Sequence, residues 1–226
     1  MTCVKGSQSR AVRDSSACAL PFTGLRSGSR CNSPDEAAVA NATEKNTDRE
    51  VPLEKKLDDL YDLVDGIETA MLTTRTIEGS LVSRPLQTQK RTDDMDLWFM
   101  TSTETHKVDE LRANPDVNVA YFKDGSKEWV SVSGRARVTQ DKRRIRELYK
   151  PDWKAWLEDQ GGDRNGGPDD PRIALIEVEA NTVTYMKSNQ PRLVAMFKVM
   201  HAMATGEPPK VGSLRHLEGE ELREAR

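Results

Sequence analysis

The chain shows two hydrophobic patterns in succession, the first with the period of a helix and the second with that of strands. Leu53, Leu57, Leu60 and Val64 recur at spacings of four, three and four, which predicts an amphipathic helix that ends near Gly66. Beyond this glycine, apolar and polar residues alternate, as they do in half-buried strands. The patterned region therefore opens with one helix and continues as a sheet.

Six segments have the length and composition of strands. The clearest is the fifth, in which Val130 and Val132 take one face while Trp129 and Ser131 take the other. In the sixth, the alternation slips around Asn181, which predicts a bulge or a bend. In chain order the segments are AMLTTRT, SLVSRPLQ, MDLWFMTS, VNVAYFK, EWVSVSGRARVTQ and RIALIEVEANTVTYMK.

So many strands with few helices between them favour a mainly β fold with flanking helices, in which six antiparallel strands close into a small barrel. The segment KRRIRELYKPDWKAWLEDQ is helical in pattern and broken at Pro151, and PRLVAMFKVMHAMATGE is a C-terminal helix stopped at Gly206. Trp153 and Trp156 are interpreted as packing residues. The C-terminal helix is expected to pack on the barrel or on a partner chain through Leu193, Met196, Phe197 and Met200.

Two polar ends flank the patterned region. Residues 1–50 have no helical or strand period and are predicted to be a disordered tail. Their basic, serine-rich start superficially resembles an organelle transit peptide but lacks a sustained amphipathic pattern, so a plain tail or a start codon upstream of the true one is preferred. Residues 51–206 form the predicted domain, and residues 207–226, rich in Pro, Gly and charge, a flexible tail.

Composition narrows the functional classes. The chain has 36% hydrophobic and 31% charged residues and a formal net charge of −3, with no apolar run of the ~18 residues that a membrane helix needs. A cytoplasmic protein that binds neither membrane nor nucleic acid is expected. Cys3, Cys18 and Cys31 have no metal-ligand spacing and are odd in number, so neither a zinc site nor a disulfide framework is indicated.

The segment FMTSTETHKVDEL joins the third strand to a short helix and gathers hydroxyl, imidazole and ammonium groups at the junction. Backbone N–H groups and the positive end of the helix dipole favour an anion there, and Lys107 with the hydroxyls of Thr101 and Ser102 would strengthen the attraction. These groups predict a site for a phosphate monoester. The alternative is that a hydroxyl only caps the helix and Lys107 is solvated, which the carboxylate of Glu104 favours.

The segments SRPLQTQ, FMTSTETHKVDEL and EWVSVSGRARV, in this order, resemble the pyridoxamine 5'-phosphate oxidase-like superfamily of FMN-binding split barrels, and within it the bacterial general stress protein branch. The resemblance runs from about Leu53 to Gly206 and includes LVAMFKVMHAMATGE. It implies a split β-barrel, FMN as the cofactor with FAD as an alternative, and a homodimer that holds the flavin at the subunit interface.

The resemblance also implies a set of flavin-binding residues. Arg84 matches a basic strand that runs beside the flavin, and His106 with Lys107 matches the Arg-Lys pair that holds the phosphate in the oxidases. A neutral imidazole offers one donor where a guanidinium offers a fork of two. Trp129 and Ser131 match strand residues that the partner subunit supplies. The complete implied set is Arg84, Pro85, Leu86, Gln87, Thr101, Ser102, His106, Lys107, Trp129 and Ser131.

No Ser-His-Asp or Cys-His constellation is visible, so the flavin would carry any chemistry. The leading hypothesis is an FMN-binding flavoprotein of the general stress type, acting as an oxidoreductase on an unidentified small-molecule electron donor or acceptor. The first alternative is a non-catalytic flavin-binding or flavin-buffering stress protein. The second is a split-barrel protein that uses a deazaflavin or haem.

The chain is not expected to be an efficient pyridoxamine 5'-phosphate oxidase. In those oxidases a C-terminal segment with an Arg-x-His core closes over the substrate. In this chain the corresponding Arg192 is followed by Leu193 and Val194, and no histidine occurs before His201. The groups that would hold the substrate against the flavin are therefore missing.

Overall fold

A closed ring of antiparallel strands lies at the centre of the chain. Its strands neighbour one another in the order β3, β2, β1, β4, β5 and β6, and a further pairing of β3 with β6 closes the ring. This confirms the mainly β, six-stranded antiparallel barrel. The computed structural model describes residues 46–48, 50–92, 95–188, 190–210 and 212–224. The strands are β1 Thr69–Arg75, β2 Leu81–Arg91, β3 Leu97–Ser102, β4 Asp116–Lys123, β5 Glu128–Thr139 and β6 Ile173–Lys187.

The inside of the barrel is the main hydrophobic core, and one helix covers part of it. Val119, Val132 and Val183 are fully buried there because successive side chains of a strand point to opposite faces. Helix α1, Leu53–Asp65, packs Leu60 into the same core. The amphipathic helix predicted from the spacing of its leucines is therefore confirmed.

Strand β6 carries the predicted irregularity at Asn181. Opposite β5, Gly134 faces Ala180 whereas the residue before it faces Thr182, so Asn181 is the extra residue of a β-bulge. The bulge brings the two backbones together so closely that a Cβ on residue 134 would lie 2.1 Å from the carbonyl oxygen of Glu179. Only glycine can stand at position 134 without moving one of the strands.

Two short helical segments between β5 and β6 cover part of the barrel's outer surface. Helix α3 spans Lys142–Leu148 and a 3₁₀-helix spans Pro151–Trp156, so the helical pattern is interrupted at the predicted proline. Beneath them lies a second, smaller core that fixes them to β3 and β6. It consists of Trp98, Ile145, Trp153, Leu157, Ile173 and Leu175.

The C-terminal segment corrects the prediction of a flexible tail over residues 207–226. Strand β7, Ser213–Glu218, pairs antiparallel with the second half of β6, and its Leu217 is fully buried in the main core. Helix α5, Gly219–Glu224, follows it. The ordered domain therefore extends well past the predicted limit at residue 206.

The N-terminal limit of the domain is also earlier than predicted. Residues 46–48 run beside β7, where the backbone N–H of Asp48 donates to the carbonyl oxygen of Leu214 at 3.1 Å. Asn46 donates to the carbonyl oxygen of Pro209 at 3.4 Å. Of the predicted disordered tail, residues 1–45 and 49 lie outside the described residues.

A buried ion cluster explains why β7 carries little apolar signal. Arg215 of β7 is buried and donates to Asp59 of α1, which also accepts hydrogen bonds from Lys187 at 2.7 Å and Lys55 at 2.6 Å. Burial alone would raise the pKa of Asp59, but these three cations hold it well below its usual range. A polar sequence can therefore form an ordered strand at the edge of the sheet, because the charge of Arg215 is paired inside the fold.

Helix α4, Arg192–Thr205, ends at Gly206 in the left-handed conformation, as predicted. Met196, Phe197 and Met200 are exposed, so the expectation that these three pack on the barrel of their own chain is wrong. The side chain of Leu193, the fourth predicted packing residue, lies outside the described part of the structure. Large apolar residues occur around the whole helix, and one surface of the barrel cannot cover all of them. Their packing against a partner chain stays a prediction.

The length of a helix decides whether it could cross a membrane. Within the ranges given above, no helix is both long enough and apolar enough to cross one. The longest of the named helices, α4, has 14 residues, whereas a spanning helix needs about 20.

Removal of the Leu217 side chain tests whether β7 belongs to the folded domain. Leu217→Ala is expected to lower the free energy of unfolding by about 2–5 kcal/mol, because it leaves a cavity in the main core. Leu214→Ala, on the half-exposed face of the same strand, is the control and should cost clearly less. Chemical denaturation of both variants measures the difference. If both variants lost the same small amount of unfolding free energy, the C-terminal segment would behave as a flexible tail, as predicted from the sequence.

Candidate functional site

A cavity of about 310 Å³ opens on the outer surface of the barrel, between the exposed part of β2 and the 3₁₀-helix. Strand β2 supplies one wall, and the 3₁₀-helix supplies the opposite wall. The end of β3 and the start of helix α2, His106–Ala113, form one end. The lining residues are Pro85, Leu86, Gln87, Gln89, Met100, Thr101, Ser102, Thr105, Lys107, Trp153, Trp156 and Leu157.

The alternation of β2 decides which of its residues reach the cavity. Pro85 and Gln87 are exposed on the outer face, whereas Arg84 and Leu86 point the other way and are half-buried. Leu86 packs against the main core and still borders the cavity. Gln89, two residues after Gln87, borders the same cavity and lies at an irregularity in the pairing of β2 with β3.

Arg84 is engaged by a buried carboxylate. Its two terminal nitrogens donate to the two carboxylate oxygens of Glu110 in α2, each at 2.8 Å, and one of them also donates to the hydroxyl of Thr74 at 2.8 Å. The guanidinium of Arg84 and the hydroxyl of Thr74 lower the pKa of Glu110 although its burial opposes them. Arg84 therefore fixes α2 to β1 and β2 and does not line the cavity.

The junction of β3 and α2 has the features expected of an anion site. Lys107 is half-buried, and its ammonium donates to the hydroxyl of Thr101 at 3.0 Å. Burial, together with the nearby charge of Arg84, lowers the pKa of Lys107, and Glu110 offsets part of this effect. A half-buried cation at a helix start gains more from an anionic ligand than a fully solvated one would.

The same junction also contains backbone N–H groups that the fold does not use. Thr105 at the N-cap gives no side-chain hydrogen bond to the helix, and its hydroxyl instead donates to the carbonyl oxygen of Ser102 at 2.9 Å. Among the described residues, none accepts a hydrogen bond from the backbone N–H of His106 or Lys107. Two helix-start donors are thus left for a ligand or for water.

The carboxylate of Glu104 does not obstruct this junction. It accepts a hydrogen bond from Arg164 at 2.7 Å on the outside of the molecule. Arg164 lies in the glycine-rich loop between the 3₁₀-helix and β6, so the pair also ties this loop to the junction. The objection that Glu104 would repel a phosphate is therefore removed by its outward direction.

The loop behind the junction is fixed by a fully buried ion pair. Arg172 donates to Asp170 at 2.8 Å and to the carbonyl oxygens of Glu158 and Arg164 at 2.9 and 3.0 Å. Hydrogen bonds from Arg172 hold the pKa of Asp170 well below its usual range. The carbonyl oxygen of Arg172 accepts from the backbone N–H of Thr103 at 2.8 Å, so the ion pair directly supports the anion junction.

The second wall of the cavity consists of residues that sequence reasoning assigned to packing or did not mention. Trp153 is 1% exposed and belongs to the second core, and its indole N–H donates to Gln89 at 3.3 Å. Trp156, by contrast, is 78% exposed, so its interpretation as a packing residue is wrong. A spacing of three in a 3₁₀-helix places both residues on one side, and both border the cavity. Only Trp153 is covered by the second core.

The remaining predicted site residues lie away from the cavity. Trp129 and Ser131 are half-exposed on the outer face of β5. His106 is exposed on the first turn of α2 and does not border the cavity. Their roles toward a flavin, like that of Arg84, stay predictions. Six predicted residues do come together around the cavity, namely Pro85, Leu86, Gln87, Thr101, Ser102 and Lys107.

An apolar patch connects Trp129 with the cavity across the outer face of the sheet. We call it the outer patch. Cross-strand partners share one face of a sheet, and the pairs Pro85 with Met71, Met71 with Ala120, Phe122 with Trp129, and Trp129 with Met186 follow one another across the strands. Met71 and Phe122 are 39% and 57% exposed. The outer patch comprises Met71, Ala120, Phe122, Trp129 and Met186.

The chemistry of the cavity is that of a binding site with one charge. Among the described residues that line it, Lys107 is the one with an ionisable side chain, and the rest of the lining offers apolar surface with amide and hydroxyl groups. Across the described part of the chain, His, Cys, Asp and Glu side chains form no group of three that could hold a metal ion. The cavity thus suits a ligand that is anionic at one end and apolar and flat at the other.

The sequence of this chain is similar to those of known proteins. The family model described as pyridoxamine 5'-phosphate oxidase like matches residues 55–210. The protein bli-3 of Neurospora crassa is 34% identical over 180 residues, which cover 78% of this chain and 86% of that protein. General stress protein 26 of Bacillus subtilis is 24% identical over 107 residues, covering 46% of this chain and 71% of that protein. The similarity is therefore not confined to the bacterial branch.

The fold agrees with a solved structure from the same group. A general stress protein 26 from Jannaschia superimposes with a TM-score of 0.56 at 18% identity, covering 73% of this chain and 99% of that one. Residues 55–210, which the family model matches, contain the whole barrel, both walls of the cavity and the junction with Lys107. The chain belongs to the pyridoxamine 5'-phosphate oxidase-like family.

Proposed function

We propose that this protein binds FMN in the cavity, with the ribityl phosphate at the start of α2, and that it is a flavin-dependent oxidoreductase of the general stress type. The observation that carries the proposal is the half-buried ammonium of Lys107 beside two backbone N–H groups without an acceptor among the described residues. A phosphate monoester matches that combination of charge and donors. A bound flavin would supply the electron transfer, and its partner substrate is a small molecule.

The chain's own residues have distinct tasks in this proposal. Lys107, Thr101 and Ser102 would hold the phosphate, while the outer face of β2 at Pro85 and Gln87 would lie along the flavin. FAD is an alternative ligand because its diphosphate is also anionic. Haem is less suitable, since no histidine lines the cavity among the described residues to act as an axial ligand.

We further propose a homodimer in which each flavin lies at the subunit interface. The outer patch is flat, apolar and continuous with the cavity wall through Pro85, and a contiguous exposed apolar surface is typical of an interface. Trp129 and Ser131 lie on this face but not in the cavity of their own chain. Across a two-fold axis they would reach the partner's cavity, as the family resemblance implies.

A non-catalytic flavin carrier is the second candidate. Among the described residues that line the cavity, Lys107 alone has an ionisable side chain, and in this proposal it is engaged by the phosphate. The lining then offers no further acid or base to assist proton transfer. Reduction of the bound flavin by a range of electron donors distinguishes the two candidates, because an oxidoreductase shows saturation by its donor and a carrier does not.

Lys107→Ala tests the phosphate site. The substitution should weaken FMN binding by about 1.5–3 kcal/mol because it removes a charge-assisted hydrogen bond, and it should leave the fold intact. Lys210→Ala, at an exposed lysine outside the cavity, is the matched control and should bind FMN like the wild type. Fluorescence quenching of FMN on titration measures both affinities.

The pH dependence of the same titration gives a second readout. Because the pKa of Lys107 is lowered by burial and by Arg84, the free protein loses this charge at a lower pH than an exposed lysine would. Wild-type affinity should therefore fall as the pH rises into the alkaline range, and Lys107→Ala should lack that fall. Unchanged FMN affinity in Lys107→Ala would place the phosphate elsewhere.

Subunit mixing tests the shared site. If Lys107 acts in its own cavity and Trp129 acts in the partner's, Lys107→Ala and Trp129→Ala homodimers should both bind FMN weakly. Random coexpression of the two variants should then restore about a quarter of the tight sites, because half of the dimers are mixed and each has one intact site. Titration of the mixture against each variant alone measures the recovery. Tight binding by Trp129→Ala itself would remove Trp129 from the site.

An assay with pyridoxamine 5'-phosphate tests the oxidoreductase class. The segment after β6 forms helix α4, with His201 exposed on it, and it does not supply an Arg-x-His lid. The FMN-loaded protein is expected to form pyridoxal 5'-phosphate under air well below about 1 per second, the lower end of ordinary enzymic rates. Multiple turnovers at or above that rate would make the protein a true oxidase of vitamin B6.

A further inference from the structure

The exposed indole of Trp156 is out of keeping with the rest of the second wall. Its neighbours Trp153 and Leu157 are 1% and 5% exposed, whereas Trp156 is 78% exposed at the mouth of the cavity. Single exposed apolar residues are common on protein surfaces. This one, however, borders a concave site, and its position is fixed by the buried residues on either side of it.

The segment that carries Trp156 is held by contacts on both sides. Trp153 packs edge-on against Tyr149, with ring centroids 5.5 Å apart, and the hydroxyl of Tyr149 donates to the carbonyl oxygen of Gly166 at 3.1 Å. On the other side, the carbonyl oxygen of Glu158 accepts from the buried Arg172. The backbone that presents the indole is therefore fixed before a ligand binds, which lowers the entropy cost of binding.

The charge distribution limits what that ligand can be. Among the described residues that line the cavity, Lys107 is the one with an ionisable side chain, and it lies at the α2 end, where the phosphate of the proposed flavin would bind. The lining also includes Trp153, Leu157 and Met100, which are apolar. Away from the α2 end, a second ligand would meet aromatic and aliphatic surface and no ionisable side chain of the described lining.

We infer that Trp156 is the stacking platform for a second ligand, which is a neutral, planar aromatic molecule of the quinone type. It would lie at the mouth of the cavity beside the flavin, where it would accept two electrons and two protons from the reduced flavin and leave as the hydroquinone. The flavin would return to its oxidised form and be reduced again by the small-molecule electron donor of the proposed function. This inference rests on the proposed function for its redox meaning, whereas the stacking site itself stands on the exposed indole, its fixed backbone and the neutral wall.

Binding of 2,3-dimethyl-1,4-naphthoquinone, which has no open ring position for thiol addition, tests the inference. Equilibrium dialysis is carried out with the full-length protein, with and without FMN. Trp156→Ala should weaken quinone binding about tenfold, within the range measured for removal of one aromatic stacking partner. Trp156→Phe should retain most of the affinity, because a smaller ring still stacks.

Two controls separate stacking from a general change of the surface. Ile77→Ala removes an exposed apolar side chain at the β1–β2 turn, outside the cavity, and should not change quinone binding. The 2-sulfonate of 1,4-naphthoquinone should bind more weakly than the neutral dimethyl compound, because the wall offers no free cation. Trp156→Ala should lower the FMN affinity by a clearly smaller factor than the quinone affinity, because Trp156 borders the cavity whereas the flavin is proposed to lie along β2.

The outcomes distinguish this inference from the proposed function. Quinone affinity that is undetectable in the wild type, or unchanged in Trp156→Ala, overturns the stacking site. A loss of FMN affinity in Trp156→Ala equal to the loss of quinone affinity makes Trp156 a flavin contact and also overturns it. If FMN does not bind but the quinone binds through Trp156, the stacking site stands and the flavin proposal fails.

Discussion

The pairing of one long strand on both of its edges determines the architecture of this protein. Strand β6 pairs with β5 along most of its length, while its other edge is divided between β3 in the first half and β7 in the second. A straight strand could not pair with these three neighbouring strands in this way. The bulge at Asn181 bends β6 between the two halves, and Gly134 is the side-chain-free position that lets β5 follow the bend.

The closure of the barrel by β3 and β6 also assembles the candidate site. Pairing of Ser102 with Ile173 brings the end of β3 next to the loop that precedes β6, and the N–H of Thr103 then donates to Arg172. The loop's buried ion pair and the anion junction therefore form one hydrogen-bonded unit. A residue more than sixty positions along the chain from Lys107 thus helps to position the turn that presents it.

Local pattern was sufficient for most of the fold. Length and composition identified all six barrel strands, and clear alternation supported the fifth, because burial on one face imposes a period of two on the sequence. The slip of the alternation around Asn181 located the bulge. The same reasoning failed for β7, where Arg215 is buried by pairing with Asp59, a residue 156 positions away in sequence. The local pattern of residues gives no information about such a distant partner. From sequence alone, a buried and paired arginine cannot be distinguished from an exposed one.

The candidate site was predictable to the extent that it depends on consecutive residues. Pro85 to Gln87 and the junction from Thr101 to Lys107 are each a short segment, and the structure brings both segments to one cavity. The opposite wall belongs to a separate segment whose position depends on the second core. Nothing in the sequence distinguishes Trp156 from Trp153. The two residues differ in burial, because the second core covers Trp153 and leaves Trp156 exposed.

The electrostatic balance at the junction explains why the helix start is important as well as the lysine. Arg84 and Lys107 are both cations, and Glu110 neutralises one of them through its bidentate pair with Arg84. The net charge of these three groups is +1, whereas a phosphate monoester carries about −1.5 to −2 at neutral pH. Side-chain charge alone therefore leaves the phosphate under-compensated. The open N–H groups of His106 and Lys107 and the helix dipole would have to supply the remainder, which requires that α2 begin where β3 ends, and the Arg84–Glu110 pair is what fixes α2 in that position.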